Sequence, residues 1–155
     1  MNPHLTKATP GDCTVLVDLM SEFYAESGYP LNRQRAEVAF SELLADQELG
    51  QVWLIEAEPG VVGYVVLTLG YSMEYGGRDA FVDDLFIRQP FRGRGLGKAA
   101  LTELRTACAE RGVRALHLEV GRDNAAAQSL YRQAGFLDMD RQLLTLRLAD
   151  PTHLP

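Results

Sequence analysis

Apolar positions along this chain follow two periods, and the switches between them mark its elements. His4 to Thr9 alternates weakly and predicts a short opening strand. Thr9-Pro10-Gly11-Asp12 supplies a turn and a helix start, after which Val15, Leu16, Leu19, Met20 and Phe23 keep helical spacing. Gly28-Tyr29-Pro30 stops that helix. Asn32 can cap a second one, striped by Ala36, Ala39, Phe40, Leu43 and Leu44 and ended by Gly50. The period then changes to two, predicting strands at Val52–Ala57, Val61 to about Met73, and Ala80–Ile87. Glu58-Pro59-Gly60 and the Tyr75–Asp79 stretch join them as antiparallel hairpins. Leu96, Ala100, Leu101, Leu104 and Cys108 return to helical spacing until Gly112. Val113–Val120 is the next strand, parallel to Ala80–Ile87 because a helix crosses over between them. Asp123 or Asn124 caps a helix ending at Gly135, and Arg141–Leu148 alternates as a last strand.

This order predicts one α/β or α+β domain over residues 1–150 with a mixed sheet, followed by a short tail at Pro151–Pro155. A length of 155 residues suits a single compact core, and 46% apolar with 23% charged residues is ordinary for a globular chain. A net charge of −6 argues against non-specific nucleic-acid binding. No run of eighteen apolar residues suggests a membrane span, and MNPHLTKATPGD lacks a signal peptide's apolar core, so a cytoplasmic protein is expected. Cys13 and Cys108 both fall in helical patterns as free thiols, and the three histidines are isolated, with no metal-ligand spacing. A homodimer is compatible with all of this.

The most informative stretch is FVDDLFIRQPFRGRGLGKAA, residues 81–100. A strand passes through a proline-containing loop into glycines 93, 95 and 97, and then into a helix. Alternate glycines let the backbone approach a ligand with successive N–H groups aligned. The helix start adds unpaired N–H groups and partial positive charge. The result is an anion cradle suited to a phosphate or pyrophosphate. Arg88, Arg92, Arg94 and Lys98 ring it with positive charge in an otherwise acidic chain. A Walker A loop is excluded, because position 92 is Arg and position 99 is Ala. A dinucleotide fingerprint can be forced onto Gly95–Ala100 with Glu119 downstream, but seven residues, including Pro90, separate Ile87 from Gly95.

Arg92-Gly93-Arg94-Gly95-Leu96-Gly97 resembles the Q/R-x-x-G-x-G/A signature of the GNAT superfamily of acetyl-CoA-dependent N-acetyltransferases. The resemblance extends to Asp84-Leu85-Phe86-Ile87 upstream and to LEVGRDNAAAQSLYRQAGF at residues 118–136, covering roughly residues 62–148. It implies a mixed, mostly antiparallel sheet flanked by helices, with a V-shaped splay between two parallel strands. It further implies that the backbone of Leu85, Phe86 and Ile87 pairs with the pantetheine arm of acetyl-CoA. Gly93, Arg94, Gly95, Leu96, Gly97 and Lys98 would hold the pyrophosphate by N–H groups, Arg88, Arg92 or Arg94 would reach the nucleotide phosphates, and Asn124 would lie near the cofactor. Tyr131 would protonate the departing CoA sulfur. Glu119 would serve as base, often through water, although an aspartate of the Ala80–Ile87 strand remains open for that role. No metal is implied.

Acetyl transfer needs a neutral amine, and an alkylammonium of pKa near 10 is only about 0.1% deprotonated at pH 7, so a base must take a proton. Asp83 and Asp84 are adjacent on a strand and are expected to point to opposite, otherwise apolar faces. At least one carboxylate then reaches a covered side, where it needs a partner or a cationic ligand. Asp83, Asp84 and Glu74 together predict an acidic acceptor site for a small cationic amine. A protein or peptide amine is the second acceptor class. An acyl-CoA-binding module without turnover is the alternative to an enzyme.

Overall fold

The computed structural model describes residues 4–148. In chain order it contains β1 (His4–Lys7), α1 (Cys13–Ser27), α2 (Arg33–Ala45), β2 (Gly50–Ala57), β3 (Gly60–Ser72), β4 (Gly77–Ile87), α3 (Leu96–Glu110), β5 (Ala115–His117) and α4 (Ala125–Gln133). Single 3-10 turns at Pro10–Asp12 and Gln89–Phe91 lead towards α1 and α3. The five strands lie in sequence order, antiparallel throughout except for the parallel pair β4–β5. The expected mixed, mostly antiparallel sheet with flanking helices is therefore present.

Period-two patterning buries both faces of the sheet. Val52, Leu54, Tyr64, Val66 and Phe86 face α1 and α2, meeting Leu16, Val17, Leu19, Ala36 and Phe40. Trp53, Ile55, Val65, Leu67, Ala80 and Val82 face α3, meeting Leu96, Ala100, Leu101 and Leu104. Gly28 closes α1 with a left-handed φ of 75°, a conformation that disfavours any side chain. Asn32 caps α2, its side chain accepting from the Arg35 N–H at 3.0 Å. No described helix is long and apolar enough to cross a membrane.

Two expected strands are corrected. Val113–Val120 pairs over only three residues, Asp79↔Ala115 to Phe81↔His117. The helix–strand connection brings the chain parallel to β4, but the two backbones then part. Arg141–Leu148 alternates as a strand should, yet it joins no sheet among the described residues. Alternation selects extended backbone but does not supply the neighbouring edge that makes a strand. The expected Pro151–Pro155 tail lies outside the described residues.

Candidate active site

The splay begins where the β4–β5 ladder stops. Beyond Phe81 no residue of β4 pairs with β5, so one edge of Val82–Ile87 stands open. The Arg88 N–H bonds the Val62 carbonyl at 2.8 Å. Backbone groups alternate sides along an antiparallel strand, so Phe86 also faces β3, while Leu85 and Ile87 face the opening. Of the three residues expected to pair with a pantetheine arm, Leu85 and Ile87 present their backbones to it. The Ile87 carbonyl already accepts from Arg92 Nε at 2.7 Å.

The glycine loop has the conformation its sequence demands. Gly93 and Gly95 adopt left-handed φ of 76° and 82°, with open space where a side chain would begin. Gly95 starts α3, whose first hydrogen bond runs from the Ala99 N–H to the Gly95 carbonyl at 3.0 Å. The N–H groups of Leu96, Gly97 and Lys98 precede it and carry the helix's positive end. Gly97 serves packing: a Cβ there would lie 2.9 Å from Leu130 Cδ2 of α4.

The four cations of this region divide into two pairs. Arg88 donates to Glu22 at 2.8 Å and to the Val61 carbonyl at 2.9 Å. Arg92 grips Glu26 with both terminal nitrogens, at 2.6 and 2.7 Å, and its guanidinium lies over the Phe86 ring. That grip holds the Glu26 carboxyl below its ordinary range. Arg94 instead rests over the Phe91 ring at 5.3 Å, and neither it nor Lys98 has an acidic partner among the described residues.

The two aspartates do not point to opposite faces. Val66 opposes Asp84 and Leu67 opposes Val82, which leaves Asp83 without a partner on β3. This is a β-bulge, in which two residues of one strand oppose one of the other and the alternation is reset. Both carboxylates then act on the α1/α2 side, where burial raises the phenol pKa of Tyr24 and of Tyr64 and each carboxylate adds to the rise. Tyr64, fully buried, donates its hydroxyl to Asp84 Oδ2 at 2.9 Å. Burial pushes the Asp84 carboxyl up to about 7, with the Asp83 charge adding to the rise and the Tyr64 hydrogen bond opposing it. Asp83 is more exposed, and the surrounding protein raises it too. Burial, then Asp84 and Asp83, lift Tyr24 to about 12.

Glu74 lies elsewhere. It sits in the β3–β4 turn, and the seven residue steps of β4 from Gly77 to Asp84 span about 23 Å at roughly 3.3 Å per residue. Arg141 clasps it at 2.6 and 2.9 Å, which lowers its carboxyl pKa. Asp79, in the same acidic stretch, faces His117 at 3.3 Å. The acidic residues of this segment therefore form separate pairs rather than one cluster.

Glu119 follows the end of β5 and is exposed. Tyr131 is half-buried on α4 against the α3-side core and packs edge-on to Phe136, and burial raises its phenol pKa. Asn124 caps α4, its Oδ1 accepting from the Ala127 N–H at 3.1 Å. Tyr64 carries no mark of a site residue in the sequence, and its place beside Asp84 comes from the β3–β4 register. The signal that leads to it is Asp83-Asp84 inside an apolar strand.

Residues 15–136 match the model of the Acetyltransferase (GNAT) family. The chain is 36% identical over 83 residues to the uncharacterized N-acetyltransferase YycN of Bacillus subtilis, covering 54% of this chain and 52% of that one. It is 30% identical over 81 residues to the thialysine N-epsilon-acetyltransferase of Bos taurus, covering 52% and 47%. The matched part thus spans about half the length of these two relatives. An integron cassette protein from the mobile metagenome of Cole Harbour Salt Marsh superposes with a TM-score of 0.86 at 48% identity, over 95% of this chain and 91% of that one.

Proposed function

Because the chain belongs to the GNAT acetyltransferase family, we propose that it moves the acetyl group of acetyl-CoA directly to a primary amine, that of a small cationic molecule. The observation that carries this reading is Asp84. It lies on the strand whose other edge is unpaired, with its carboxyl on the α1/α2 face, hydrogen-bonded by Tyr64 and raised to about 7. A base poised there is half-ionised near neutrality and takes a proton more readily than an ordinary aspartate.

The fit to acetyl-CoA rests on three features of the chain. The open Gly93 and Gly95 backbone, with the first N–H groups of α3, suits a pyrophosphate. Arg94 and Lys98 add positive charge, while Arg92 shapes the loop through Ile87 and Glu26. The unpaired edge at Leu85 and Ile87 suits an extended arm with amide groups. When bound, acetyl-CoA supplies the thioester carbonyl carbon and a thiol leaving group.

Asp84 draws the ammonium of the acceptor to the bulge and accepts a proton from it, so that the nitrogen can attack. Asp83, closer to solvent, adds negative charge that favours a cationic acceptor. Glu119 remains the second candidate base, acting through water from the end of β5. Tyr131 donates to the sulfur, and burial, by raising its phenol pKa, keeps it a proton donor at neutral pH. Glu74, engaged with Arg141, takes no part in this reading. The relative that acetylates the ε-amine of thialysine supports a small amine acceptor.

The test is free-thiol release from acetyl-CoA against a panel of polyamines, amino acids, aminoglycosides and peptides. Turnover with small cationic amines, falling by about 10²-fold or more in Asp84→Asn, is expected. Acetylation of peptides alone, or full activity in the variant, would overturn the assignment.

A further inference from the structure

One stretch of the sheet's α1/α2 face takes no part in the core and none in the chemistry assigned above. Strand pairing fixes which side chains share it. Phe81 opposes Thr68 and Asp79 opposes Gly70, two and four residues along β3 from Val66, the partner of Asp84. Phe81 also opposes His117 on β5. Their neighbours Ala80, Val82 and Leu116 pack in the α3-side core, so Asp79, Phe81 and His117 face the other way, as Asp84 does. Helices α1 and α2 cover that face at Tyr64, Val66 and Phe86 but stop short of these three. Phe81 is left 37% exposed, and the His117 side chain 30%.

The uncovered stretch is ordered by its own contacts. The His117 ring lies between Phe81, at 5.0 Å, and Tyr75 of the β3–β4 turn, at 5.6 Å. Its Nε2 meets Asp79 Oδ2 at 3.3 Å. The other carboxylate oxygen, Oδ1, lies over Gly70, where a Cβ would stand only 2.8 Å from it. Glycine at position 70 thus leaves the room that this oxygen occupies. Among the described residues no hydrogen bond reaches Oδ1, whereas Glu74 close by is held by Arg141 through both oxygens.

A carboxylate oxygen left open beside aromatic rings is a setting that holds a cation, by charge and by the negative faces of the rings. Phe81 lies between this carboxylate and Asp84 and gives the face an apolar floor. The β3 partners of Asp79 and Asp84 are four residues apart, about 13 Å at roughly 3.3 Å per residue.

Given an acceptor amine at Asp84, the reading on which this rests, we propose that Asp79 sets the length of the acceptor. The acceptor is a linear molecule with a cationic group at each end. Its reacting amine lies at Asp84, its apolar chain crosses Phe81, and its distal cation rests on Asp79 Oδ1. His117 is a positioning residue that turns the Asp79 carboxylate towards Gly70. An extended chain advances about 1.2 Å per bond, so the nine bonds between the nitrogens of an eight-carbon diamine cover about 11 Å. The contacts at the two carboxylates take up the remainder. A four-carbon diamine covers about 6 Å and cannot hold both ends.

The test is calorimetric titration at pH 8 with linear diamines of four to ten carbons and with n-octylamine. The eight-carbon diamine should bind about tenfold or more tightly than either the four-carbon diamine or n-octylamine. Asp79→Asn should remove that advantage and leave the affinity for the four-carbon diamine unchanged, which also shows that the variant is folded. An affinity that ignores chain length overturns the proposal, as does n-octylamine binding as tightly as the diamine. A preference that survives in Asp79→Asn overturns it too. Binding is read without acetyl transfer. A length preference in binding with no turnover would sink the catalytic reading alone, and turnover of amines with no length preference would sink this one alone.

Discussion

Replacing Asp84 with Asn should raise the stability of the protein while removing its activity. Raising this carboxyl from 3.8 to about 7 on folding corresponds to about 4 kcal/mol of stability given up above that pH. Between those two values the folded protein binds more protons at this site than the unfolded chain. Stability from this group is therefore full below pH 3.8 and falls as pH rises through about 7. Asparagine has the same shape, carries no charge and still accepts from Tyr64. The neutral amide forfeits the charge-assisted part of that hydrogen bond, so half the gain, about 2 kcal/mol, should be realised. At roughly 2–4 °C per kcal/mol for a chain of this size, Tm at pH 8 should rise by about 4–8 °C.

The assay is thermal unfolding of parent and variant from pH 4 to 8.5, followed by circular dichroism. The difference in Tm should be small at pH 4 and should open as pH climbs. A carboxylate kept for structure would behave in the opposite way: the variant would lose stability at pH 8, where the charged hydrogen bond is intact. Such a loss, or a difference in Tm that ignores pH, would refute the view that burial of Asp84 is a cost borne for catalysis.

Tyr64→Phe removes the donor that favours ionised Asp84, so the acid limb of kcat/KM should move to higher pH by about one to two pH units, and an unmoved limb would separate Tyr64 from the reaction. Tyr131→Phe should lower kcat by about 10²–10⁴-fold with acetyl-CoA affinity little changed in a direct binding titration. Gly95→Ala places a side chain at a φ of 82°, a strain of about 1–2 kcal/mol, and should weaken acetyl-CoA binding more than it changes the acceptor KM. Glu74→Gln should leave the acceptor KM where it was, since its carboxylate serves Arg141 in a turn remote from Asp84.

The fold was legible wherever local chemistry decides it. Asn32 and Asn124 cap the helices expected of them, and Gly28 ends α1. The Gly93–Gly95 loop opens α3 as its glycines require. What the chain pattern did not reveal depends on long-range pairing. Asp83 and Asp84 read as opposed neighbours because strict alternation was assumed, and only the β3 register exposes the bulge that turns both towards Tyr24 and Tyr64. Arg88 and Arg92 read as phosphate ligands because α1, lying some sixty residues earlier, was not yet beside them. Arg141–Leu148 has every local mark of a strand but meets no edge among the described residues, and alternation cannot say which edge, or whose, completes it.

Those two arginines link the halves of the site. Glu22 and Glu26 are four residues apart on α1, so they lie on one helical face with Tyr24 between them in sequence. Arg88 and Arg92, likewise four apart, follow β4 and lead into the glycine loop. Two ion pairs at matched spacing fix both the height and the rotation of α1 against the end of β4, and Phe23 stacking on Phe86 at 5.2 Å fills the gap beneath them. Tyr24 is thereby held close enough to Asp83 and Asp84 for their charges to raise its phenol. Partial exposure makes each ion pair worth little to overall stability. Their consequence is positional. The glycine loop and α1 are tied through the same residues, so a shift in one is felt by the other.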